Sequence, residues 1–115
     1  MRSVDELPAL GFQDWGGSWV RQEWDFTVAP ADQAFHLQLG VYPDGTEWSR
    51  IDVYVTHDAA SEQLWWSFDL AGSETSAGGD WQAALAALSE QADQIYIDLR
   101  DKATEAARSV IQQLQ

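Results

Sequence analysis

The chain has 115 residues, 19 of them Asp or Glu against 6 Lys or Arg, so its formal net charge is −13; it holds 7 Trp and no Cys. One domain, 1–115, fits this length, disulfides and thiolate chemistry are excluded, and the aromatic content argues against a disordered acidic tail. Asp outnumbers Glu, 12 to 7, and Lys102 is the only Lys; such acidity fits either a salt-adapted surface or attraction of a basic partner. Met1 to Glu6 has no apolar run, and no uncharged stretch approaches the ~20 apolar residues of a membrane span. The expected setting is cytoplasmic, with no membrane partner.

Residues 1–16 read as a lead-in. Ser3-Val4-Asp5-Glu6 matches a capping box, Pro8 and Gly11 limit any helix to a turn or two, and Gly16-Gly17 closes the segment.

Residues 17–71 read as four strands of an antiparallel meander, because apolar and polar positions alternate between turn residues. In the first, Val20, Trp24, Phe26 and Val28 point one way and Trp19, Arg21, Glu23, Asp25 and Thr27 the other. After the Ala29-Pro30-Ala31-Asp32 turn, Phe35, Leu37, Leu39 and Val41 alternate with His36, Gln38, Gly40 and Tyr42. Ile51, Val53 and Val55 then alternate with Trp48, Arg50, Asp52, Tyr54 and Thr56; Leu64, Trp66, Phe68 and Leu70 alternate with Trp65, Ser67 and Asp69. One face is purely apolar and must be covered.

The cover lies downstream. Residues 72–79 read as a small-residue linker and Asp80 as an N-cap. Trp81, Leu85, Leu88, Ala92, Ile95, Leu99, Ala103, Ala106, Val110 and Leu114 recur at helical spacing, which predicts one long amphipathic helix over 80–115. The fold class is α+β. Ile97 falls on the opposite side and residues 95–99 alternate like a strand, so a helix–strand–helix ending is the alternative. A helix of ~34 residues spans about 50 Å, against about 33 Å for a ten-residue strand. It must bend or overhang the sheet. An overhanging Ala106, Ala107, Val110, Ile111 and Leu114 is covered either by a second copy, giving a homodimer through the C-terminal helix, or by the N-terminal segment.

The second sheet face carries Trp19, Trp48, Trp65, Tyr42 and Tyr54 among charged residues, which suggests a second covered or binding surface. Tyr42-Pro43-Asp44-Gly45-Thr46 suits a three-residue hairpin. That places Trp48 over the bare Gly40, Gln38 opposite Arg50 and His36 opposite Asp52. For the next pair, the register avoiding Asp52 against Asp69 sets Tyr54 opposite Trp65 and Arg50 opposite Asp69, putting Ser67 beside Asp52.

His36, Asp52 and Ser67 then share a row, but nucleophilic catalysis needs His between Ser and Asp, so no catalytic residues are assigned. Two His without Cys form no metal motif, and no phosphate-binding Gly-rich loop occurs; no metal or cofactor is expected. Six scattered bases give no nucleic-acid patch. Residues 1–79 hold 13 acids and 3 bases, and residues 80–115 hold 6 and 3, so the sheet half is the more negative. Outward on the helix, Glu90, Asp98, Asp101 and Glu105 form a weaker acidic stripe around Ile97.

Two functions fit. The first is a non-catalytic inhibitor or immunity-type protein binding a basic protein, with Trp19, Trp48, Trp65, Tyr42 and Tyr54 as anchors and Asp44, Glu47, Asp58 and Glu62 as an acidic rim. The second is a small-ligand domain using Arg21, Arg50, Asp52, Asp69 and His36 beside the same aromatics.

Overall fold

The alternating segments become strands in the computed structural model of the chain, which describes residues 4–29, 32–44, 47–58 and 63–115, with the side chains of all but Glu23 and Glu47. The Ser3 cap, the turn residues Pro30 and Ala31, the hairpin positions Gly45 and Thr46, and Glu62 lie outside the described residues.

The fold is α+β. Two 3₁₀ turns, Val4–Glu6 and Pro8–Leu10, precede strands β1 (Gln13–Asp14), β2 (Trp19–Val28), β3 (Gln33–Asp44), β4 (Glu47–Thr56), β5 (Leu64–Phe68) and β6 (Glu74–Gly78). The described strands form one antiparallel sheet in chain order. Helices α1 (Trp81–Leu88) and α2 (Ala92–Leu114) follow. The four expected strands are present as β2 to β5, while β1 and β6 extend the sheet at each side. Strand β6 occupies the stretch read as a linker. It pairs with β5 and is tied to α2, where Arg100 Nε donates to Glu74 Oε2 at 2.9 Å.

Two bulges change which side chains face the helix. Opposite β3, the β2 register shifts between Gln22 and Trp24, leaving Glu23 as an extra residue. Trp24 and Phe26 pair with the inward Leu37 and Phe35, but Trp19 and Arg21 pair with the equally inward Val41 and Leu39. In β4, Arg50 pairs with Tyr42 and Trp48 with Pro43, so Ser49 is the extra residue. Its Oγ donates to the Tyr42 carbonyl at 2.9 Å. The second bulge turns Trp48 into the core, where it is 1% exposed. The assignment of Trp19, Trp48 and Arg21 to the second face is thereby overturned.

The β3–β4 register is corrected too. Gly40 pairs with Asp52, Gln38 with Tyr54 and His36 with Thr56. The β4–β5 register is the expected one, with Asp52 opposite Ser67 and Tyr54 opposite Trp65.

The helix is interrupted at 89–91. Ser89 is extended, φ −161° and ψ 148°, and its hydroxyl accepts from the Gln91 N–H at 3.1 Å. The break answers the length mismatch: the 23 residues of α2 span about 35 Å, close to the reach of the central strands. Helix α1 folds back, stacking Trp81 on Tyr96 with centroids 4.1 Å apart. Residues 95–99 lie within α2, so the helix–strand–helix alternative is not adopted, and Ile97 points outward at 51% exposure. Asp80 stands before α1 without a side-chain capping bond.

On the inner face α2 buries Ile95, Leu99, Ala103, Ala106, Ala107, Val110, Ile111 and Leu114 in one cluster with Phe35, Leu39, Ile51, Val53, Trp66 and Phe68. Each large side chain fully buried there contributes roughly 1.5–3 kcal/mol. Leu7 and Phe12 of the N-terminal segment join this cluster. The five residues expected to overhang are buried within the chain itself. Among the described residues no helix is long and apolar enough to cross a membrane.

Candidate functional site

The face of the sheet opposite the helices carries the concentrated chemistry, and no described element packs over it. Its side chains stand in cross-strand rows. One row runs Val20, Gly40, Asp52, Ser67 and Ser76; the next runs Gln22, Gln38, Tyr54, Trp65 and Gly78. Beyond these, Tyr42 pairs with Arg50 at one end, and Asp25, His36 and Thr56 align at the other.

Two glycines make room for the rings. A Cβ on Gly40 would stand 3.4 Å from the Tyr42 ring and 3.5 Å from the Tyr54 ring, so both tyrosines lean over bare backbone. The Trp65 indole occupies the space where a Gly78 side chain would begin. Glycine under an aromatic neighbour is a recognised way of fixing cross-strand pairing. Here Tyr42 and Tyr54 hold the place beside Gly40 that the sequence reading gave to Trp48.

Asp52 is the hub. Only 5% exposed, its carboxylate accepts from Ser67 Oγ at 2.6 Å and from Tyr54 Oη at 3.1 Å, and Arg50 Nε lies 3.4 Å away. A buried carboxylate is tolerated when paired and hydrogen-bonded in this way. Tyr54 spends its proton on Asp52, so in the 2.8 Å contact between the two tyrosine hydroxyls Tyr42 donates. Burial first, then the bond to Tyr42 and the Asp52 charge, push the Tyr54 phenol well above the usual tyrosine range, keeping it a donor. The Arg50 guanidinium sits 4.2 Å over the Tyr42 ring, a cation–π contact. The result is a directional chain, Tyr42 to Tyr54 to Asp52, closed by Ser67 and Arg50.

His36 is held separately. Nδ1 meets Asp25 Oδ1 at 2.6 Å and Nε2 meets Asp58 Oδ1 at 2.9 Å. Both nitrogens donate when the ring is charged, and the Asp25 bond, opposed by desolvation and reinforced by Asp58, raises its pKa above the ordinary value. Thr56, the partner of His36, lies four residues along β4 from Asp52, about 13 Å at strand spacing. His36 thus does not join Asp52 and Ser67 in a row, and the hydroxyl proton of Ser67 is directed at the Asp52 carboxylate.

Two open grooves meet at Tyr54. One, about 350 Å³, is lined by Gln22, His36, Gln38, Thr56 and Asp58. The other, about 460 Å³, is lined by Arg50, Asp52, Gln63, Trp65 and Ser67. The site brings together Trp65, Tyr42, Tyr54, Arg50, Asp52, His36 and Asp58 from the residues read as candidates.

Others lie elsewhere. Arg21 is on the helix side, donating to the Leu10 carbonyl at 3.0 Å, with its guanidinium 4.9 Å from the Phe12 ring and 4.8 Å from the Trp24 ring; burial lowers its pKa. Asp69 is a turn residue, its Oδ1 accepting from the Ala71 and Ser73 N–H groups at 2.9 and 3.0 Å. Asp44 is exposed at the end of β3, and Glu47 begins β4. Gln22 and Gln38 were not among the candidate site residues; once both bulges are placed, their alignment with Tyr54 follows. Among the described residues no three His, Asp or Glu side chains converge as a metal-ligand set. No family model, curated protein or solved structure matches the chain, so the site is read from its own geometry.

Proposed function

We propose that the chain is a non-catalytic binding protein that takes a basic protein partner on the aromatic face of its sheet. The observation that carries this reading is a face over which no described element packs and whose anchors are held in place beforehand: Tyr42 and Tyr54 by the Asp52 network, Trp65 by its seat over Gly78. Tyr, Trp and Arg are the side chains that most often dominate interface energy, and fixed anchors lose little freedom on binding. The net charge of −13 favours and accelerates encounter with a basic partner. Inhibition or immunity is the role such binding would serve.

A small-ligand reading is kept on one observation, that Arg50 and Trp65 both line the 460 Å³ groove. The groove is open, whereas small-ligand sites bury most of the ligand, which places this reading second.

The two separate on salt and on side chain. A protein captured at low salt should be released by a salt step, and Trp65→Ala should reduce its retention at least tenfold. Charge reversal at Asp44 and Asp58 should slow its association. A partner held equally by all three variants in high salt would remove the proposal. A small molecule that changes Trp fluorescence independently of salt, with the response lost in Arg50→Ala, would favour the second reading.

A further inference from the structure

Strand β2 has an outer edge that the described strands leave mostly unpaired. Strand β1 pairs only with Trp19 and Val20, while β2 continues to Val28. From Arg21 onward no described strand covers that edge. An unpaired edge offers main-chain donors and acceptors to another extended chain, and proteins usually blunt it with bulges or charges. Here the Glu23 bulge blunts only one end. Trp24 to Val28 keep an unbroken register with β3, five residues or about 17 Å of regular strand.

Helix α2 runs beside this edge and leaves two hollows. The first, about 220 Å³, lies among Trp24, Leu37 and Ala106; the second, about 300 Å³, separates Thr27 and Val28 from Asp98 and Asp101. Lys102 and Glu105 border both. Trp24 is 38% exposed at the first hollow, an apolar notch beside an unspent edge. The helix wall presents Asp98, Asp101 and Glu105 against Lys102 alone. On the other side of the same strand Asp25 is 74% exposed. A strand laid along this edge would send alternate side chains to the two faces, and both faces meet carboxylates.

We infer that this edge takes an extended basic segment of a partner protein by strand addition. Main-chain hydrogen bonds to Trp24–Val28 supply the docking, as in other strand-addition complexes. An apolar side chain enters the Trp24 notch, and Lys or Arg side chains face Asp101 and Glu105. A second copy is a poor occupant, because its own β2 brings Asp25 and the same acidic helix wall to a chain of net charge −13. The inference concerns a different surface from the aromatic face and stands whether or not that face binds the same partner.

The test is a titration of the ¹⁵N-labelled full chain with a ten-residue acetylated peptide alternating Lys with Val and Thr, followed by amide correlation spectra and hydrogen exchange. The expected result is shifts and slowed exchange at Trp24–Val28, with shifts along residues 98–109. A Glu-for-Lys peptide, and a peptide N-methylated at alternate amides, should produce neither. Asp101→Asn with Glu105→Gln should weaken binding about fivefold, the scale of exposed charge pairs. Absence of shifts, or equal binding by the N-methylated peptide, overturns strand addition. Shifts confined to Tyr54 and Trp65 also overturn it while favouring the aromatic-face proposal. Dimer formation through this edge in sedimentation would assign it to a second copy and overturn the basic occupant.

Discussion

The two faces of this sheet are held by different forces. Toward the helices, Leu39, Ile51, Val53 and Trp66 sit in a continuous apolar cluster with Ile95 and Leu99, where contact is non-directional and depends on volume. Toward solvent, Asp52, Tyr54, Tyr42 and Ser67 are joined donor to acceptor, where each partner depends on one other atom. The inner face therefore contributes most of the stability and accepts substitutions that conserve volume. The outer face contributes less and holds side chains in place.

Substitutions on each face test that contrast. Trp66→Ala should cost about 3–5 kcal/mol, a large fraction of the ~5–15 kcal/mol that stabilises a typical domain, and urea denaturation should register it as a lowered midpoint. Trp66→Phe should recover most of the loss, because the indole N–H is buried without a partner among the described residues. If the Phe variant is as unstable as the Ala variant, volume does not govern the inner face.

Asp52→Ala should cost about 2 kcal/mol, since Ser67 and Tyr54 each lose a charged acceptor. Its distinguishing readout is a fall in the Tyr54 phenol pKa. Gly78→Val should cost about 1–3 kcal/mol by displacing the Trp65 indole, and near-ultraviolet dichroism should change with it. An unaltered Trp signature would mean that Trp65 is not seated on Gly78.

The smallest effect belongs to His36. Its folded pKa is raised, mainly by Asp25, so its contribution is complete below the ordinary value of about 6.5 and is lost as pH rises through the higher folded value. Between about pH 6 and pH 8 the unfolding midpoint should fall more in the parent than in His36→Gln. Equal slopes would show that the Asp25–His36–Asp58 clamp adds no net stability.

The sequence made the inner set of β3 legible throughout, and that of β4 from Ile51 onward, because alternation there is unbroken. It also made the Asp52–Ser67 and Tyr54–Trp65 pairs legible, through the repulsion the other register would create. It did not disclose the bulges at Glu23 and Ser49, which reverse alternation without a glycine or proline in the bulged strand to mark them. Hindsight identifies a sign: Trp19 and Trp24 are five apart and Trp48 and Ile51 three apart, odd spacings between residues that share a face. Strand β6 was hidden because Ser, Ala and Gly are weak strand formers, and the helix break because residues 89–91 contain neither Gly nor Pro.

The bulges have a consequence for how this chain tolerates change in length. Beyond each one, inside and outside are exchanged, so a strand's orientation is counted afresh from that point. Removing one codon at Ser49 would take out the extra residue and leave Trp48 inward on a regular strand, and removing one at Glu23 would likewise leave Trp19 and Arg21 inward. Drawing either extra residue into the regular alternation would turn the same side chains outward, onto the side of the tyrosines. The bulge at either place thus acts as a parity bit, deciding which aromatic rings are foundation and which are display.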